Sequence, residues 1–133
     1  MHTDSLQKAI SQFLQKAWLA ITWTFIMVVL LCLPGSTLPA IGLFGIKHLD
    51  KGVHIFLYAI FVLLWYYYWK LNATKKNILQ KTIILFCIGT TFGVVMEYIQ
   101  LYFVPNRSFD VGDIWADTIG CFFMLSYLAY TKK

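Results

Sequence analysis

Residues 97–120, EYIQLYFVPNRSFDVGDIWADTIG, hold four carboxylates (Glu97, Asp110, Asp113 and Asp117) with Gln100 and Arg107, between flanks that are almost continuously apolar. Carboxylates in such a setting can bind a cation, accept hydrogen bonds from a polar ligand or relay protons. Each costs at least a few kcal/mol in lipid, so those that remain face a bundle interior or a wet cavity and pair with one another. A second polar group, HLDKGVH at 48–54, opens the preceding apolar block. On a helix, Asp50 and His54 are four residues apart and Lys51 and His54 three, so they share a face that Tyr58 continues. Glu97 shares a face with Gln100, and Asp110, Asp113 and Asp117 follow an i, i+3, i+7 rhythm that Gly120 or Cys121 extends.

These stripes predict three helices, each offering one polar face. With a helix end near Pro105, Glu97 lies roughly 10 Å below it at about 1.5 Å per residue, and Asp117 is similarly deep on the next helix. Pro105 and Asn106 predict a chain reversal over 104–108 that brings the two carboxylates to one level. Arg107 then guards the mouth, its planar fork reaching back to Glu97 and Asp113, and its loss should cost roughly 3–5 kcal/mol if the pair is fully buried.

The surrounding composition says where such helices live. Of 133 residues 59% are hydrophobic and only 13% charged, and the apolar residues come in blocks of membrane-spanning length. The expected fold is all-α: one domain over 1–133, with four transmembrane helices at about 18–33, 52–71, 78–104 and 111–130. An amphipathic interfacial helix precedes them over 4–16, with Leu6, Ile10, Phe13 and Leu14 on one face and Asp4 as N-cap. A cleaved signal peptide competes for the first block, but three further apolar blocks require a membrane anyway. Residues 36–47, broken by Pro39, Gly42 and Gly45, are too short to span and should lie at the interface. Tyr66, Tyr67, Tyr68 and Trp69 read as an aromatic belt, and Gly89-Thr-Thr-Phe-Gly93 as a small-residue face that admits a neighbouring helix. The triplets Asn72-Ala-Thr and Asn106-Arg-Ser sit against helix ends and read as chance matches to a glycosylation pattern.

The net charge of +5 does not point to nucleic acid, because the basic residues cluster at the ends of apolar blocks, where they orient helices and touch anionic lipid. Lys8, Lys16, Lys70, Lys75, Lys76, Lys81, Lys132 and Lys133 fall on one side, against Lys47, Lys51 and Arg107 on the other. Both termini are therefore expected in the cytoplasm, with the polar site opening outward. Cys32, Cys87 and Cys121 lie in apolar blocks without metal or redox spacing, so a cysteine nucleophile is not expected.

The ordered set Asp50-Lys51-x-x-His54-x-x-x-Tyr58, then Glu97-x-x-Gln100 with Arg107, Asp110 and Asp113, then a small residue and glycine, resembles the VanZ family over residues 34–120. The family usually carries asparagine where this chain has Asp117, which adds a negative charge. The resemblance implies a small multi-pass protein of the bacterial cytoplasmic membrane, in a family named for a determinant of teicoplanin resistance.

Four mechanisms are compatible with the residues. Lys51 and Arg107 could neutralise the carboxylates in a purely structural network. They could instead engage the phosphate or carboxylate of an anionic envelope lipid, a lipid-linked cell-wall precursor or a glycopeptide, while Asp50, His54, Tyr58, Glu97, Gln100, Asp110, Asp113 and Asp117 bind its polar parts. In a catalytic reading His54, oriented by Asp50 or Glu97, is the general acid or base acting on a lipid-linked substrate, with Glu97 and Asp113 as further catalytic candidates, or Asp113, Asp117, Glu97 and His54 hold a divalent metal. A proton or ion pathway is the fourth. No diagnostic metal-ligand spacing occurs, so neither metal nor cofactor is expected on motif grounds, and the oligomeric state is left open.

Overall fold

The computed structural model describes residues 2–34, 49–71 and 77–131, without the side chains of residues 2–4, 11 and 14. The expected interfacial segment 36–47, the loop carrying Lys75 and Lys76, the Asn72 triplet, and Lys47, Lys132 and Lys133 lie outside these residues. All regular structure described is helical: α1 (His2–Leu14), α2 (Ala17–Leu31), α3 (Leu49–Lys70), α4 (Ile78–Phe103) and α5 (Val111–Tyr130).

Local chemistry explains the helix ends. α2 stops at Leu31, three residues ahead of Pro34, which cannot continue a helix. α4 ends where Val104 turns extended (φ −109°, ψ 118°), as the residue before a proline must, and Asn106 then takes a left-handed φ of 58°, which asparagine tolerates. Asp110 caps α5, its Oδ1 accepting from the Gly112 N–H at 2.7 Å. Asp4 lies inside α1, which begins at His2, and so does not cap it.

α3 and α4 are long and apolar enough to cross a membrane, which is two helices rather than the expected four. The 15 residues of α2 reach only about 22 Å, short of a hydrocarbon core of about 30 Å. α5 has the length, but Asp113 and Asp117 lower its hydropathy.

α5 packs most extensively on α3 and next on α4, while α2 lies mainly against α3. Trp23 Nε1 donates to Leu57 O at 3.1 Å and Trp65 Nε1 to Thr24 Oγ1 at 3.1 Å, tying α2 to α3. The core joins Met27, Leu57, Phe61, Val62, Leu85, Met96, Cys121 and Leu125, with Phe61 stacked on Phe92. Tyr66 belongs to this core rather than to an outward aromatic belt, because the α3 face that meets the bundle continues through it. Gly89 and Gly93 admit α5: a Cβ on Gly93 would lie 2.6 Å from Asp117 Oδ2, and one on Gly89 2.6 Å from Cys121 Sγ.

Polarity is inverted relative to a water-soluble domain. Phe25, Phe103, Trp115, Phe122 and Phe123 point outward, while His54, Glu97, Gln100, Asp113 and Asp117 are buried.

Candidate functional site

The α3 stripe and the α5 stripe face each other. His54 Nδ1 lies 2.8 Å from Asp117 Oδ1, both side chains almost fully buried. An ionised carboxylate only accepts, so with Asp117 charged a hydrogen sits on Nδ1, and in the neutral ring Nε2 then presents its lone pair. One turn nearer the helix start, Lys51 Nζ donates to Asp110 Oδ2 at 2.8 Å and to Asp113 Oδ1 at 3.0 Å, with Asp50 Oδ2 at 3.9 Å. Asp113 Oδ2 lies 3.7 Å from His54 Nε2, beyond hydrogen-bond reach.

α4 contributes Glu97, which is completely buried. Its Oε2 accepts the backbone N–H of Asp110 at 2.8 Å, and its Oε1 has no hydrogen-bond partner. Glu97 thus stands level with Asp110 and Asp113, while Asp117, opposite Gly93, lies one turn deeper, so the expected meeting of Glu97 with Asp117 is replaced by one with Asp113. The amide of Asp110 as the partner of Glu97 was missed in the sequence. The helix-cap rule could have signalled it, since an N-cap residue sits at a helix start where N–H groups lack intrahelical partners.

Two expected members stand apart. Gln100 Nε2 donates to Leu31 O at 2.9 Å and Arg107 Nε to Leu33 O at 3.3 Å, so both satisfy carbonyls left over at the end of α2. Among the described residues Arg107 makes no ion pair with a carboxylate, and Lys51 takes the place expected for it at Asp113. The reversal through Asn106 aims Arg107 at α2 instead of back along α4. Arg107→Gln should accordingly cost only about 1 kcal/mol, the worth of one long hydrogen bond. Unfolding in detergent should show the Glu97→Gln and Arg107→Gln losses to be additive, and a coupling above about 1 kcal/mol would contradict this assignment. Tyr58 is fully buried and faces Asp117, continuing the α3 stripe, although its hydroxyl and Asp117 Oδ2 do not close to a full hydrogen bond.

Asp110 lies between α4 and α5, and its carboxyl is held below the usual carboxylate range by the Lys51 ammonium first and by the Gly112 N–H second. The unfolded chain therefore takes up this proton more readily than the folded one, and stability must rise with pH across that interval. The contribution is fully present above the ordinary aspartate value of about 3.9 and is lost as pH falls through the lower folded value. Thermal melting across an acid series should show a steeper acid limb for the unaltered protein than for Asp110→Asn, and superimposable limbs would count against the contact.

The site thus combines a buried His–Asp pair, a second carboxylate held by an ammonium, and a third held by a peptide N–H. It can transfer a proton at His54, gather a cation among oxygens, or receive hydroxyl and amine donors of a ligand. Over 85 residues, 63% of this chain and 49% of the other, the sequence is 33% identical to an uncharacterized protein of Schizosaccharomyces pombe. The chain thus spans about half the length of that relative. No solved structure matches it. The profile of the VanZ/LLP1 family matches residues 3–131, taking in α3, α4 and α5 with every residue of the buried cluster, and the chain belongs to that family.

Proposed function

We propose that this chain is a multi-pass membrane protein whose polar site receives the head group of an envelope lipid or lipid-linked molecule. In this reading α2, α3, α4 and α5 all cross the membrane, both termini face the cytoplasm, and the exposed apolar face of α1, with Leu6, Ile10 and Phe13, rests on the bilayer surface. The short α2 is accommodated by local thinning. The observation that carries the proposal is the inverted polarity: a buried His54–Asp113–Asp117–Glu97 cluster inside a shell of outward apolar side chains, with Lys51 partly exposed at one end. A cluster of that kind is retained in a membrane at high cost, which ligand recognition explains.

The Lys51 ammonium gives two of its three N–H groups to Asp110 and Asp113, and the third addresses a phosphate, while the carboxylates address hydroxyl or amine groups. A relative in a fungus favours a phospholipid-like head group over a precursor confined to bacteria. Where such a precursor is the ligand, expression of the chain should alter teicoplanin susceptibility.

Native mass spectrometry of gently extracted protein tests the proposal. A lipid should co-purify with the unaltered chain and be depleted in Lys51→Gln, and equal lipid retention would refute the site. A catalytic reading is favoured by the His54–Asp117 contact, which fixes the ring for proton transfer at Nε2. Under that reading His54→Gln retains the lipid and abolishes its conversion.

A further inference from the structure

Three of the buried side chains are each anchored by one atom. His54 is held at Nδ1 by Asp117, Asp113 at Oδ1 by Lys51, and Glu97 at Oε2 by the Asp110 N–H. The atoms left over are His54 Nε2, Asp113 Oδ2 and Glu97 Oε1, and one donor atom from each residue lies within 4.8 Å of those of the other two. Glu97 Oε1 is completely buried and has no hydrogen-bond partner. Charge points the same way: Glu97, Asp113 and Asp117 are buried together, and Lys51 is the one ammonium beside them among the described residues. Buried anions without compensation are strongly disfavoured.

We propose that His54 Nε2, Asp113 Oδ2 and Glu97 Oε1 bind one divalent transition cation, Zn²⁺ or Mn²⁺. An imidazole with two carboxylates suits these ions better than the all-oxygen cages of Ca²⁺ or Mg²⁺. Two ligands on a tetrahedral ion with bonds of about 2.1 Å are about 3.4 Å apart, and Nε2 and Asp113 Oδ2 stand 3.7 Å apart. Asp117 is a positioning residue here, since its bond to Nδ1 sets the tautomer that leaves Nε2 able to coordinate, in the manner of a carboxylate–histidine–metal triad. Three protein ligands leave a coordination position open, as metal sites that handle a substrate do. A second acidic group, Asp50, Asp110 and Asp113, is distinct in kind, because the Lys51 ammonium fills it.

Elemental analysis tests it directly. The full chain, purified in lipid-free detergent, stripped with chelator and reloaded with Zn²⁺ or Mn²⁺, should take up about one ion per chain and melt at a higher temperature. His54→Gln and Glu97→Gln should lower the affinity at least about 100-fold, and Asp117→Asn about 10- to 100-fold with unchanged stoichiometry at saturation. No uptake by the unaltered chain, or unaltered affinity in the two ligand variants, overturns the site. Should those variants fail to fold, X-ray absorption of the loaded unaltered chain decides: one imidazole with oxygen ligands supports the proposal, and sulfur ligation from Cys32, Cys87 or Cys121 overturns it. Lipid retention is scored separately, so a metal-free protein that still carries lipid refutes this inference alone.

Discussion

Gly120→Ala should separate α3 from α5 and dismantle the site in one step. A Cβ at Gly120 would lie 2.5 Å from Ile55 O and 3.1 Å from its Cα. These are backbone atoms, so no rotamer change relieves the contact and the helices must move. Overpacking a tight interior costs about 1–3 kcal/mol, occasionally more. Here the penalty should reach the upper end, because α3 against α5 is the most extensive packing in the fold. The clash lies one turn beyond Asp117 on α5 and next to His54 on α3, so the displacement is transmitted to the 2.8 Å His54–Asp117 contact. Chemical unfolding in detergent should register the loss, and a histidine NMR signal should show the ring released. A variant with unchanged stability and an unchanged His54 resonance would mean that the helices are not in close contact there.

Lys51→Met should be comparably damaging for an electrostatic reason. It leaves Asp113, whose side chain is only 6% exposed, without the ammonium 3.0 Å away, and removes the same partner from Asp110. Breaking a fully buried pair costs about 3–5 kcal/mol. Lys51 is 29% exposed and Asp110 46%, so water screens part of the change and about 2–3 kcal/mol is expected. Adding Asp113→Asn should recover part of the loss, because the stranded charge disappears with it. A double-mutant cycle that gives strict additivity would show that the pair does not interact in the folded protein.

What could be read from the sequence was what helical periodicity carries. The spacing of Lys51 and His54, and of Asp113 and Asp117, places each pair on one face, and the structure puts those two faces opposite each other. The spans of α4 and α5 follow from continuous apolar runs on either side of the turn at Pro105 and Asn106. Pairing between helices was not legible, because it depends on register. Proximity in sequence favours Arg107 for Glu97, yet Asn106 in its left-handed conformation sends Arg107 to Leu33, and the approach of Gly120 to Ile55 brings Lys51 to Asp113. Gln100 shares a helix face with Glu97 and still serves a different partner, because the α2 carbonyls end beside it.

The bond from the Asp110 amide to Glu97 carries an evolutionary consequence. Its donor belongs to the main chain, so drift in the side chain at position 110 leaves the carboxylate anchored whatever residue arrives there, except proline, which has no N–H to give. Mutational tolerance around this anchor is therefore lopsided. A substitution at position 97 removes the anchored carboxylate itself, while position 110 can trade away its own charge, and its tie to Lys51, and still keep the N–H that holds Glu97.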